Sequence, residues 1–537
     1  MQAGKGIKEQ SMAKGFAVLS VASILVKILS LFFIPIIRSL MGGSAGYQVY
    51  YSAYQVFAFV YVLATAGLPV AISKVVTELM TGTDHRQSKR AFRIARLAMM
   101  LLGTILTLVL LIFAKPIATA TGYEESWLGI AVIAPNILLC SVLSAYRGYL
   151  QGLKNMTPTA ISQVAEQCVH LFVSIVAVLL LRNKGVVWMV AGASIGTLAG
   201  SVVALLVVYY YYRMQCSADQ FRTVICSGEN RKTERNQYIR LLVAYSVPIT
   251  LSAAIQYGGN LIDVFIVKGR LLAAGLQEGL AETLHGDLSA ARQLINVPSS
   301  LVTALCVSVL PIIAGLYVQK KKKAAAARAE YAFKLCFIVA VPCTVAMCVF
   351  AKPIYQLLGF GDNYQMLMYM SFSVLLMGIV HLQSSIMQSV NLLYASAAFM
   401  GVSVVIKAIF NYLLIGIPGL NIFGAVLSTY ISYLVPIFLN NQMLIQKRGL
   451  KVRIFSTLAP SVIGSAVMLV PSVPCYILLS KLFGASYFAN LISFVLAAVV
   501  AVVTYFAVMV KIGGIYKEDI DSISPKISRL LGFKDDK

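Results

Sequence analysis

The chain has 537 residues, of which 59% are hydrophobic and only 12% charged, with a mean hydropathy of +0.82. Soluble chains are about half apolar and about one quarter charged, so these figures exclude a soluble enzyme or binding module and indicate an integral membrane protein. The net charge of +24 points to no nucleic-acid partner, because the lysines and arginines gather beside apolar segments, as a topology signal does.

In chain order, the apolar runs predict fourteen membrane-spanning helices, at 15–37, 47–73, 91–113, 127–150, 159–181, 186–212, 241–267, 288–316, 332–351, 364–388, 398–418, 421–446, 455–480 and 483–510. Each can hold the roughly 20 apolar residues that cross a bilayer. Lys5, Lys8 and Lys14 precede the first run in the manner of a secretory leader. That run is too long for one and no small-x-small cleavage site follows, so a retained first helix is expected.

Alternate connections carry Arg86, Lys89, Arg90, Arg93 and Arg96, then Arg147 and Lys154, then Arg213 to Arg240, then Lys320 to Lys334, then Lys447 to Arg453. The connections between them hold only scattered cations, the longest lying at 268–286, so both termini are expected in the cytoplasm. The longest polar break falls after the sixth span. It predicts an all-α polytopic protein with two pseudo-symmetric six-helix lobes (1–212 and 240–446), a basic cytoplasmic linker (213–239), two additional helices (447–511) and a cytoplasmic tail (512–537). Internal likeness agrees: Leu150-Gln151 and Met387-Gln388 end the fourth and tenth spans, and the same offset carries His170 onto Lys407. A duplicated transporter with its site between the halves fits this pattern.

Polar residues inside the spans are the candidate machinery. A lysine at mid-bilayer costs about 2.5–3.5 kcal/mol on insertion scales, so Lys27 and Lys407 are expected to face a wet interior or a partner. The fifth span places Gln163, Glu166, Gln167 and His170 on one helical face, and the seventh does the same with Gln256, Asn260 and Asp263. Arg292 with Asn296 and Lys407 with Asn411 follow at i, i+4, while Arg38 and Lys74 stand at span ends and could snorkel to headgroups. One reading makes these groups interhelical glue, with Asp263 on Arg292 and Glu166 on Lys407 or His170. The other makes them a cavity. Lys27, Arg292 and Lys407 against Glu166 and Asp263 leave that cavity net cationic, which suits an anionic cargo and phosphate oxygens in particular.

No catalytic constellation is evident, and no P-loop is present. The nine cysteines form neither a disulfide framework nor a His/Cys metal spacing. No cofactor or metal is therefore expected. A coupling ion, Na+ or H+, stays open, with Glu166 and Asp263 as its candidate ligands. A cation or drug antiporter would use one of those acids as its ion-coupled group. A glycan polymerase or ligase would need an acid/base pair in a long outer loop, near Asp263 or Asp287, and a scaffold would need none of these charges.

The run 146–163, Tyr-Arg-Gly-Tyr-Leu-Gln-Gly-Leu-Lys-Asn-Met-Thr-Pro-Thr-Ala-Ile-Ser-Gln, with Glu166-Gln167 beyond it, resembles the junction of spans four and five in one flippase branch. That branch is the polysaccharide-transport branch of the multidrug/oligosaccharidyl-lipid/polysaccharide flippase superfamily. It is most similar to the stage V sporulation protein B and YtgP group, relatives of the MurJ lipid II flippases. The resemblance implies a MATE/MurJ-like fold of two lobes around a central cationic cavity, with spans thirteen and fourteen forming a lipid-facing groove. It also implies movement of an undecaprenyl-diphosphate-linked sugar, lipid II first among them, from the inner to the outer leaflet by alternating access. Implied partners are the lipid-linked oligosaccharide diphosphate, membrane lipids and cell-wall synthesis proteins, with the protein a monomer. By the resemblance, Lys27 stands for a span-one arginine and Arg292 for a span-eight arginine. A further span-one arginine is Phe33 here, and a span-two arginine falls among Tyr54 and Gln55, which leaves teichoic or capsular lipid-linked precursors open. The substrate site expected from both readings is Lys27, Arg292 and Lys407 on the diphosphate, with Arg38 and Lys74 as entrance or exit charges.

Overall fold

The computed structural model describes residues 12–80, 85–153, 155–219, 231–484 and 486–515. Every regular element among the described residues is a helix. The helices are α1 (Met12–Leu40), α2 (Ser44–Thr65), α3 (Leu68–Met80), α4 (His85–Ile112), α5 (Ala114–Ala120), α6 (Trp127–Ile133), α7 (Pro135–Gly152), α8 (Thr157–Leu181), α9 (Val186–Asp219) and α10 (Arg231–Ala273). They continue with α11 (Glu278–Val318), α12 (Lys322–Val349), α13 (Ala351–Leu357), α14 (Gln365–Met370), α15 (Ser373–Ser389), α16 (Leu393–Ile415), α17 (Phe423–Arg448), α18 (Leu458–Phe483) and α19 (Tyr487–Lys511).

Thirteen helical stretches among the described residues are long and apolar enough to cross a membrane. They match the expected spans except the eighth, 288–316, which lies inside the 41-residue α11. The expected outer loop at 268–286 is corrected. Its leucines and alanines, with Glu278 and Glu282, are helix-forming, and α10 runs on to Ala273 while α11 starts at Glu278. Only four residues separate the two helices, closed by Gly275 at φ +90°. The expected span at 47–73 is broken by Ala66 and Gly67 into α2 and α3. Gly67 lies against α10, its N–H donating to the Thr250 hydroxyl at 3.1 Å.

The chain divides into two compact units. The first comprises the described residues of Met1–Ser289 and Val404–Ala425, the second those of Ala290–Ser403 and Val426–Lys537. In the first unit, α8 and α9 form the tightest pair, and α1 lies along α8. The α8–α9 approach follows from a glycine ladder. Gly192, Gly196 and Gly200 recur every fourth residue, and a Cβ at Gly200 would sit 2.5 Å from the Glu166 carbonyl oxygen. Small residues at that period let membrane helices approach backbone to backbone, and here they fix the side of α8 that carries Glu166 and His170. A second core packs α3, α4 and α7 through Ile72, Val76, Phe92, Met99, Tyr146 and Tyr149.

Apolar side chains point outward as well as inward, as lipid solvation requires. Leu101, Ile105, Leu108 and Ile112 are exposed on α4, and Phe172 and Leu180 on α8. In the second unit α12 packs against α15 and α18, and α18 pairs with α19. The α18–α19 hairpin buries Met468, Tyr505 and Met509 against Ile338 and Val345 of α12, with the Tyr505 hydroxyl donating to the Ile338 carbonyl at 3.1 Å. The outward side of α19 is aliphatic, with Val499, Val502 and Val503 all exposed.

Candidate functional site: intramembrane charges and a tyrosine ladder

Asp263 and Lys407 are neighbours. The Lys407 Nζ donates to Asp263 Oδ2 at 2.6 Å and to the Gly259 carbonyl at 2.8 Å. The Asn411 amide donates to the other Asp263 oxygen. All three side chains are buried, Asp263 and Asn411 completely. A carboxylate and an ammonium in hydrocarbon persist only when their hydrogen-bonding capacity is met, and this cluster meets it. The i, i+4 spacing of Lys407 and Asn411 puts both groups of α16 on α10 at the turn that carries Asp263.

Glu166 meets a different cation from those expected. Arg147 Nη2 donates to Glu166 Oε2 at 2.8 Å, and its Nε donates to the Ser162 hydroxyl at 3.0 Å. Ser201 of α9 donates to Glu166 Oε1 at 3.2 Å. The expected pairing of Glu166 with Lys407 or His170 is corrected accordingly. Hydropathy had assigned Arg147 to a basic connection. It lies inside α7, one residue after Tyr146, whose hydroxyl accepts from Arg96 at 2.9 Å. The stripe Gln163, Glu166, Gln167, His170 does share one partly buried face of α8, and His170 lies against Phe33 of α1, ring centroids 4.7 Å apart.

Arg38 is not a snorkelling charge. It is buried, with Nη2 donating to Asp287 Oδ1 at 2.6 Å, and the Ser44 hydroxyl donating to the same oxygen at 2.7 Å. The turn that presents Ser44 needs Gly42 and Gly43 at φ +81° and +105°, backbone that L side chains rarely adopt. Nearby in the same unit, Lys268 donates to Glu282 at 2.7 Å, to Glu278 at 2.9 Å and to the Gly122 carbonyl at 2.6 Å. His285 and the Tyr123 hydroxyl are 2.8 Å apart. The hydrogen bond and charge of Lys268 hold the Glu278 carboxyl below its ordinary value. Sequence reasoning named neither Lys268 nor Glu282 as functional, since the segment read as a loop.

Three predicted cations stand elsewhere. Lys27 is exposed on α1, and no described residue joins it by hydrogen bond or ion pair. Lys74 is exposed at the middle of α3, its Nζ 3.8 Å above the Tyr245 ring. Arg292 is buried in α11, within the second unit. Gln256 and Asn260 lie two turns and one turn before Asp263 on α10, the former exposed and the latter partly buried.

A feature that charge counting passed over is the aromatic ladder of α2. Tyr47, Tyr50, Tyr54, Phe57 and Tyr61 follow one another with ring centroids 5.7–6.3 Å apart. Phe33 extends it onto α1, 6.2 Å from Tyr50. Tyr54 lies within electrostatic reach of Tyr257 and Glu166, and Tyr61 within reach of Glu166 and Arg147. The spacing i, i+3, i+7, i+10, i+14 was visible in the sequence, but an aromatic stripe alone reads as core. Among the described residues no group of His, Cys, Asp and Glu has the geometry of a metal site.

The family model described as "Polysaccharide biosynthesis protein" matches residues 12–317, more than half of the chain. The chain belongs to that family. Stage V sporulation protein B of Bacillus subtilis (strain 168) is 28% identical to it over 428 residues, covering 78% of this chain and 81% of that protein. Lipid II flippase MurJ of the same organism is 23% identical over 462 residues, covering 82% and 84%. Among solved structures, lipid II flippase MurJ in an inward closed conformation aligns with a TM-score of 0.64 at 13% identity, over 92% of this chain and 99% of that one. The fold is thus of the MATE/MurJ kind, and this family member is a multi-pass membrane protein of the flippase superfamily. Its intramembrane charges fall into two groups: Arg38, Arg147, Lys268 and Lys407 are matched to carboxylates, while Lys27 is not.

Proposed function

We propose that this chain is a non-enzymatic flippase that carries an undecaprenyl-diphosphate-linked cell-wall precursor, lipid II foremost, from the cytoplasmic to the outer leaflet by alternating access. The observation that carries the reading is the contrast among the cations. Lys407 and Arg38 are tied to carboxylates, whereas Lys27 stands exposed in a membrane span with no counter-charge among the described residues. A bare ammonium at that depth is costly unless an anion or water meets it, and a diphosphate supplies that anion. Lys27 is the position that holds the diphosphate, and Lys74 serves at the entrance.

The wider reading has two six-helix lobes, at 1–212 and 240–446, as the moving parts, with both termini cytoplasmic and the protein a monomer. Arg38 and Lys407, first assigned to cargo, act through their carboxylates as structural charges. Glu166 and Asp263, each paired with a cation, are the proposed ligands for a coupling Na+ or H+.

The test is complementation in cells depleted of their own lipid II flippase. Lys27→Ala is expected to abolish growth while Lys27→Arg retains it, with the protein present at normal level in the membrane. Full growth of Lys27→Ala, or accumulation of no lipid-linked precursor on the cytoplasmic leaflet after depletion of this protein, rejects the reading. Accumulation of a teichoic or capsular precursor in place of lipid II would instead assign the cargo to that lipid-linked class, which shares the same diphosphate chemistry.

A further inference from the structure

Within the first unit, polar groups meet aromatic rings at membrane depth. Tyr54 and Tyr61 on α2 are partly exposed, and Tyr257 on α10 is 42% exposed. No described residue accepts a hydrogen bond from the Tyr54 or Tyr257 hydroxyl. Hydrocarbon cannot satisfy such groups, so this surface needs water or a polar ligand. Its charge balance says which kind. Glu166 is matched by Arg147, and Asp263 by Lys407, so the wall has strong hydrogen-bonding groups and no spare charge. A phosphate gains nothing from it. A neutral polyhydroxyl does, because its hydroxyls meet the open donors and acceptors while its C–H faces lie on tyrosine rings, which are apolar on the face and polar at the tip.

We propose that Tyr54, Tyr61 and Tyr257, with the Glu166–Arg147 pair, form a glycan-binding wall that receives the sugar of a lipid-linked cargo. The inference rests on the flippase reading and adds a second recognition element to it, in which cations hold the diphosphate and the tyrosine wall holds the sugar.

The test uses the full-length protein in lipid nanodiscs and two probes, undecaprenyl diphosphate and a peptide-free undecaprenyl-diphosphate disaccharide of N-acetylhexosamines. The wild type is expected to bind the glycosylated probe about tenfold more tightly, the increment that two ordinary aromatic contacts give. Tyr61→Leu with Tyr257→Leu is expected to abolish that increment while leaving affinity for undecaprenyl diphosphate unchanged, which also shows that the variant is folded. Tyr61→Phe with Tyr257→Phe, which keeps the rings, is expected to retain most of it. Equal affinity of the wild type for both probes, or an increment that survives both leucines, overturns the wall and leaves the flippase reading standing. If the wild type binds neither probe, the flippase reading falls, and the wall with it.

Discussion

The Lys407–Asp263 pair permits a quantitative prediction. Lys407→Met removes the ammonium but keeps the length of the side chain, leaving Asp263 buried with Asn411 as its remaining described partner from α16. Stripping one partner from a buried ion pair costs about 3–5 kcal/mol, whereas replacing both partners with apolar groups of similar volume is often neutral. Helices unfolded within a bilayer also find partners for polar groups, which reduces interhelical polar contributions, so the lower end, about 3 kcal/mol, is expected here. That corresponds to roughly a hundredfold in the folding equilibrium. The double substitution Lys407→Met with Asp263→Leu is expected to recover most of the loss. The assay is reversible unfolding of the purified protein in mixed micelles, read by far-ultraviolet circular dichroism, for the wild type, both single variants and the double variant. If Lys407→Met alone is as stable as the wild type, or if the double variant is no better than the worse single one, the pair does not stabilise the fold by charge compensation and the reasoning fails.

Other predictions follow from the same geometry. Gly200→Ala places a Cβ against the Glu166 carbonyl; it is expected to lower the thermal unfolding midpoint and to reduce cross-linking between cysteines introduced into α8 and α9, whereas Gly269→Ala, with open space around it, changes neither. Asp287→Ala strips the buried Arg38 of its carboxylate and is expected to destabilise by about 3–5 kcal/mol, whereas Glu278→Ala, whose exposed carboxylate leaves Lys268 still paired with Glu282, is expected to cost far less; the ratio of unfolding constants at neutral pH checks both. The depressed Glu278 carboxyl makes the Lys268–Glu278 contact fully present above the ordinary carboxylate value of 4.5 and lost as pH falls through the folded one. The difference in unfolding midpoint between the wild type and Glu278→Gln should therefore shrink toward zero from pH 7 to pH 3, and a difference that grows on acidification refutes the contact.

Much of the fold was legible because a bilayer demands long apolar runs, and the sequence has them at almost every position where a helix stands. Boundaries were legible only where the chain breaks itself, as at Gly42-Gly43 and Pro158. They were not legible at 268–286, where charged but helix-forming residues extend α10 and α11 beyond their apolar stretches. The stripes on α8 and α10 could be read because a period of 3.6 fixes which side chains share a face. Which face meets which helix could not. Arg147 reached Glu166, and Lys407 reached Asp263, through packing set by Gly192, Gly196 and Gly200 and by the approach of α16 to α10, and neither leaves a mark in hydropathy. The tyrosines of α2 were visible but silent, since only their partial exposure beside unmet polar atoms separates a binding surface from ordinary packing.

The Arg38–Asp287 contact has a bearing on how the protein is made. The two residues are 249 positions apart in the chain, and translation at about 5–20 residues per second takes roughly 12–50 s to cover that distance. For that interval the first helix has left the ribosome with its guanidinium and without the carboxylate that will neutralise it. The nascent segment must linger beside the insertion machinery, or at the headgroup surface, until α11 emerges. Replacing Arg38 and Asp287 together by leucine would remove that delay, so the double variant should integrate its first helix sooner in a cell-free insertion time course.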